Sequence, residues 1–264
     1  MMARLVKPTL FVAMLCASHT IDAFQLSPSM GKLNLKSAQL ASRSASRPAT
    51  AAWTMFETTT KTTKKAGLEG LKMELLELCQ QTRVGIDSPE GAAEREKILA
   101  LVEKIEKQNP TKDPLPSGEV DGEWTLRWTT SMGLLGLKRP RGFRVDLDRP
   151  ILQRIDTANM QAVNVEPVTT FSSLFGGIKY QNTVEIDLEP VTSSRVDAIL
   201  NKFSFALFDP GARSPGLLSF PAPVKARGFI DTTYVDNART VGPTGKLRIS
   251  RGNDGNVFIL TKNE

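Results

Sequence analysis

From residue 122 onward, hydrophobic and polar positions alternate with a period of two. Trp124, Leu126 and Trp128 are separated by Glu123, Thr125, Arg127 and Thr129, the pattern of a strand with one buried face. Tyr180, Asn182, Val184, Ile186 and Leu188 repeat it against Gln181, Thr183, Glu185 and Asp187. Further strand-like runs lie at 143–155, 160–165, 196–208, 229–235, 246–250 and 256–262. These eight runs, joined by turn-rich connections, predict a mainly β chain whose antiparallel sheet closes into an up-and-down barrel, with a two-sheet sandwich as the alternative. An eight-stranded barrel has an interior that side chains can fill or that can hold one small ligand.

Ahead of the strands the period changes to that of a helix. Leu68, Leu71, Leu75, Leu78 and Cys79 share one face of a first helix, and Ile98, Leu101, Val102 and Ile105 share one face of a second. Ser88 as cap, Pro89 in the first turn and Glu90 at the positive end of the dipole place the second helix start. It stops near Asn109-Pro110. Residues 66–108 are therefore predicted helical, 109–121 a Pro-rich hinge, and 122–264 the barrel.

The N-terminal part has a different composition. Arg4 and Lys7 precede an apolar run at 10–17, and a short polar stretch ends at Ala23-Phe24, the order of a secretory signal peptide over 1–23. Residues 24–58 follow as a disordered, Ser- and Ala-rich transit segment; Phe24 to Met55 holds Lys32, Lys36, Arg43 and Arg47 but no acid. The pair resembles the bipartite leader of a plastid reached through the secretory route. Six of the 34 Lys/Arg and one of the 28 Asp/Glu precede Met55, leaving 28 basic against 27 acidic groups. The formal charge of +6 thus belongs to the leader, and the domain carries no field suited to nucleic acid.

The single histidine, His19, also lies in the leader. Without it, Ser-His-Asp or Cys-His catalysis and His-ligated metal sites are excluded, and neither metal nor cofactor is expected. Cys79, left alone after Cys16, has no intrachain disulfide partner. No stretch is long and apolar enough for a membrane span.

Short blocks in a fixed order carry a family resemblance. Asn109-Pro110-Thr111 is followed by Asp121-Gly122-Glu123-Trp124-Thr125-Leu126-Arg127-Trp128-Thr129-Thr130-Ser131, and then by Gln153-Arg154-Ile155-Asp156 and Asn164. Asp231-Thr232-Thr233-Tyr234-Val235-Asp236, Leu247-Arg248-Ile249-Ser250-Arg251-Gly252 and Gly255-Asn256-Val257-Phe258-Ile259-Leu260 complete it. Together they resemble the plastid lipid-associated protein (fibrillin) domain, over 66–264. One departure is the run 237–245, which separates Asp236 from Arg248 where the family joins them almost directly. The resemblance implies a lipocalin-like barrel associated with plastid lipids at plastoglobules or thylakoids. It also implies that Trp124 of Gly-x-Trp closes a barrel end against a late arginine, Arg248 or Arg251. Trp124, Trp128, Phe203, Phe205, Tyr234 and Phe258 are the expected interior positions.

Three connections are apolar for loops. The first holds Leu134, Leu135 and Leu137 followed by Lys138, Arg139 and Arg141; the second Leu174 and Phe175; the third Leu217, Leu218 and Phe220. In an up-and-down barrel all three ring one mouth, which is expected either to meet a lipid surface with its basic residues on headgroups or to fold back and plug the barrel. Pro150 would break this parity by splitting its run into two strands. Asp231, Asp236, Glu185 and Asp187 are the acids available for catalysis, and chemistry would need two of them to converge. The expected role is non-enzymatic: binding of a lipid or hydrophobic small molecule such as a prenylquinone, carotenoid or polar lipid, with a surface coat or a protein-interaction module as alternatives.

Overall fold

The computed structural model describes residues 53–137, 139, 144–170, 178–207, 218–222 and 226–263, without the side chains of 53–66, 170, 178, 207 and 218. The predicted signal peptide, most of the transit segment, Lys138, Arg141, Leu174, Phe175 and Leu217 lie outside these residues. Two helices, α1 (Trp53–Gln80) and α2 (Ala93–Glu106), precede nine strands. These are β1 (Gly122–Thr129), β2 (Leu152–Asp156), β3 (Gln161–Thr170), β4 (Ile178–Pro190), β5 (Arg195–Leu207), β6 (Leu218–Pro221), β7 (Arg227–Val235), β8 (Leu247–Gly252) and β9 (Val257–Lys262).

Each strand pairs antiparallel with its neighbours, β1 joins β9, and β4–β5 pairing closes the ladder. The short β6 and β7 both pair with β5, through Lys202↔Pro221 to Phe205↔Leu218 and through Arg195↔Asp231 to Ile199↔Arg227. They form one interrupted side, so the result is an eight-stranded closed barrel, and the sandwich alternative falls away. Leu218 and Phe220, expected in the third apolar connection, instead belong to β6. Pro150 does not produce an extra crossing: 144–151 is irregular apart from a Val145–Val168 bridge, and β2 begins at Leu152. Thr129, Thr170 and Leu207 therefore leave the barrel at one end, and Leu152, Ile178 and Leu218 re-enter there.

The helices do not enter the barrel; they cover one side of its wall. Leu68, Leu75, Cys79, Ile98, Leu101, Val102 and Ile105 pack on Trp128, Tyr234, Leu247, Ile249, Val257 and Ile259. Each Leu or Ile fully buried there stabilises the fold by about 1.5–3 kcal/mol relative to exposure. Trp128 and Tyr234, expected inside, stand on this outer wall. The reason is a register shift between Leu126 and Trp128 against β9, and another between Thr232 and Tyr234 against β8. One extra residue reverses the alternation, sending Trp124 and Leu126 inward but Trp128 outward.

Polar contacts fix the helices in place. Lys72 Nζ, buried, meets Glu69 at 2.7 Å, Asp236 at 3.2 Å and the Thr240 carbonyl at 2.8 Å. Asp236 also accepts from Tyr234 Oη at 2.6 Å and from the Leu247 amide at 2.9 Å. Thr244 Oγ1 donates to Glu69 at 2.9 Å, so the run 237–245 forms the turn on which α1 docks. Arg251 grips Glu106 of α2 through two hydrogen bonds of 2.8 and 2.7 Å.

The helix boundaries differ from those read in the sequence. α1 begins at Trp53 rather than near Gly67, and α2 at Ala93 rather than at Ser88. Ser88 is occupied elsewhere: its hydroxyl donates to the Gly85 carbonyl and accepts from the Trp128 indole at 3.0 Å. Gly91, at φ +81°, then turns the chain before α2.

Candidate functional site

Inward-facing side chains divide the barrel into two small cavities. The larger, about 70 Å³, is walled by Leu126, Ile151, Phe229, Phe258 and Leu260, with Arg248, Gln153 and Asn164 at its deep side. It reaches the mouth beside Ser131, Leu134, Asn253 and Asn256. The smaller, about 40 Å³, lies toward the other end among Leu115, Val120, Ala162, Ile186, Leu188 and Val196. Gln153, Asn164 and Ile230 line both, and the two amides are joined by a hydrogen bond of 3.0 Å, so the amide pair and Ile230 stand between the cavities as a partition.

Arg248 reaches the partition from β8. Its Nη2 donates to Gln153 Oε1, and its guanidinium lies 4.7 Å from the centre of the Trp124 ring. Trp124 is itself buried, and its indole N–H donates to the Val120 carbonyl at 2.8 Å. Of the two arginines that the resemblance offered to Trp124, Arg248 takes the position; Arg251 faces α2. Complete burial pushes the Arg248 guanidinium down to about 9, because removal from water disfavours the charged form.

The mouth is plugged by the β1–β2 connection. Leu135 is 1% exposed and packs with Trp124, Leu126, Val145, Ile151 and Leu260, while Leu134 and Leu137 are partly buried against the same group. Arg139, expected on headgroups, is 2% exposed and ion-paired to Glu166 Oε2 at 2.9 Å. Asn182 donates to the same oxygen at 3.0 Å. These residues fold back into the barrel, which corrects their placement on a lipid-facing surface. Among the described residues of this connection, Met132, 47% exposed, is the large hydrophobic side chain that faces outward. Phe220, also expected at the surface, packs against the interior group of Phe203, Phe205, Val184 and Leu200.

Of the six interior candidates, Trp124, Phe203, Phe205 and Phe258 face the barrel interior, and of these Phe258 alone lines the larger cavity, which Trp124 adjoins through Arg248. Sequence reasoning missed Glu166 as an interior residue, although it follows Ala162 and Asn164 on the inward phase of β3. The remaining motif residues serve the scaffold. Thr129 Oγ1 accepts from the Ser131 amide, Thr130 Oγ1 accepts from the Val257 amide, and Asp156 is bonded within its turn by Asn159. Gly122, at φ +104°, holds a backbone conformation that strains any other residue, and Gly252 sits close against Phe258.

The acids do not gather. Asp231 accepts from Ser194 at 2.7 Å, Asp236 belongs to Lys72, and Glu185 pairs with Lys202 at 2.7 Å on the outer face. Burial pushes the Cys79 thiol up to about 12, so it is not a thiolate at neutral pH.

The PAP_fibrillin family model matches residues 69–261. The chain belongs to this family. This fibrillin chain is 33% identical over 191 residues to the probable plastid-lipid-associated protein 5, chloroplastic, of Arabidopsis thaliana, covering 72% of the chain and 68% of the relative. It is 27% identical over 234 residues to plastoglobulin-1, chloroplastic, of Pisum sativum, covering 74% and 61%. It is also 27% identical over 203 residues to the chromoplast-specific carotenoid-associated protein of Cucumis sativus, covering 64% and 60%. The fibrillin chain thus spans less than two thirds of the length of the last two. No solved structure gives a significant match.

Proposed function

We propose that this is a non-enzymatic plastid lipid-associated protein that holds a hydrophobic small molecule inside its barrel. The observation that carries the reading is the apolar cavity of about 70 Å³ reaching the mouth beside Leu134. Pockets for drug-sized ligands run to roughly 300 Å³ or more, so uptake requires the Leu134–Leu135 plug to withdraw and the Gln153–Asn164 partition to part. Prenylquinones, carotenoids and polar lipids are the proposed cargo, at plastoglobules or thylakoids. The names of the cucumber and pea relatives, which refer to carotenoids and plastoglobules, support this class.

The small volume favours a second reading, a coat that meets a lipid surface without taking up a molecule. The full-length protein, mixed with plastid lipid extract and re-isolated by gel filtration, separates the two. The carrier is expected to retain one quinone, carotenoid or polar lipid per chain by mass spectrometry. A coat floats with lipid droplets but retains nothing stoichiometric, and failure of both leaves a protein-interaction module.

We also propose that 1–23 and 24–58 act in turn as signal and transit segments. Their acid-poor, basic composition is the support. A fluorescent protein fused behind residues 1–58 is expected in a plastid surrounded by secretory membrane, and a cytosolic fusion would remove the proposal.

A further inference from the structure

Among the described residues two arginines are fully buried in the interior, and the fold treats them differently. Arg139 is given a carboxylate, Glu166, at 2.9 Å. Arg248 is given only neutral partners: the Gln153 amide oxygen and the Trp124 ring. Its Nε meets no acceptor, and among the described residues no carboxylate forms an ion pair with it. Lys262, 5.7 Å from the same indole ring, adds a second positive charge nearby.

A cation removed from water without an anion is unstable unless something compensates it. A tryptophan face and one amide compensate in part. What is missing is a negative charge, and Arg248 lines the deep side of the larger cavity, which reaches the mouth. From there to the mouth the walls are Leu126, Ile151, Phe258 and Leu260, which suit a hydrocarbon tail. A neutral carbonyl head would accept a hydrogen bond but leave the charge unbalanced.

We infer that the barrel selects an amphiphile with a carboxylate head, which sits on Arg248 while its tail runs toward the mouth. This rests on the carrier reading and names its ligand class. The lowered pKa of the buried guanidinium is consistent with it, since an incoming anion restores the stability of the charged form.

The test uses the full-length protein and a neutral fluorophore, N-phenyl-1-naphthylamine, displaced by palmitate or by hexadecanol. The two have the same chain length and differ in head charge. Palmitate is expected to displace the probe with about tenfold higher affinity, the scale of one charge-assisted hydrogen-bonded contact. In Arg248→Met the affinities of palmitate and hexadecanol, each taken against that variant's own fluorophore binding, are expected to become equal, while Arg248→Lys keeps part of the preference. Equal affinities in the unaltered protein, a preference that survives in Arg248→Met, or a bound fluorophore that neither lipid displaces each overturn the inference and leave the carrier reading standing. A fluorophore that does not bind removes the carrier reading itself, and this inference with it. The palmitate–hexadecanol comparison on the unaltered protein decides the matter even if Arg248→Met does not fold.

Discussion

Replacing Asp236 by Ala is expected to lower the stability of the protein by about 3–5 kcal/mol, the usual loss when one partner of a buried ion pair is removed. Lys72 and Asp236 are both fully buried, 3.2 Å apart. Without the carboxylate, the Lys72 ammonium keeps Glu69 and the Thr240 carbonyl, but the Tyr234 hydroxyl and the Leu247 amide lose their acceptor. Stranded buried donors carry the desolvation penalty unrepaid. Thermal unfolding should therefore begin roughly 10 °C lower, taking about 2–4 °C per kcal/mol for a domain of this size. The double variant Lys72→Met/Asp236→Leu, which removes both charges, should recover a good part of the loss. A drop in Asp236→Ala below about 1 kcal/mol would show that water reaches the pair.

The second large effect is expected at Gly85→Ala. Gly85 adopts φ +109°, and an added Cβ would lie 2.2 Å from the Thr129 carbonyl oxygen. Strain of about 1–3 kcal/mol for a non-glycine residue in this region adds to a similar cost for displacing the backbone of β1. The sum is about 3 kcal/mol or more. Since Ser88 reaches Trp128 from the same turn, the tryptophan's near-ultraviolet dichroism should change as well. Gly91→Ala is the control: φ is also positive, +81°, but nothing lies within 4 Å, so only the backbone preference is lost, about 1 kcal/mol. Denaturant unfolding of the two variants that gave equal losses would mean that the Gly85 contact relaxes freely.

How much of this was legible before the fold is clearest in β1. Alternation identified the strand and placed Trp124 and Leu126 inside, because a half-buried strand imposes its period on the sequence. It also placed Trp128 inside, wrongly, since a bulge adds a residue without any local mark of composition. Tyr234 failed for the same reason. The only clue was distant: the two helices carry apolar stripes that need an apolar wall, and Trp128, Tyr234, Leu247 and Ile249 provide it.

Arg139 failed differently. In a run of Lys138-Arg139-Pro140-Arg141 a basic residue reads as solvated, and its placement depends on a carboxylate in another strand. Glu166 was the available sign, an acid on the inward phase of β3. Ser88 has every property of a helix cap, yet its hydroxyl serves an indole forty positions further on. Local propensity loses wherever a tertiary hydrogen bond competes for the same atom. The cavity itself, a product of several strands and two bulges, has no sequence signature.

The order in which the chain is made gives the docking of the helices a further meaning. α1 and α2 come first, but the surface they cover belongs to β7, β8 and β9, together with Trp128 of β1. The barrel closes through pairing of β1 with the last strand, Trp124 with Lys262 and Thr129 with Phe258. A chain still emerging therefore has helices without a wall and a first strand without its final neighbour. Non-local closure of this kind is slow, and little of the tertiary structure can form until nearly the whole polypeptide is available. The same topology that completes the barrel leaves a partly made chain without most of its tertiary contacts.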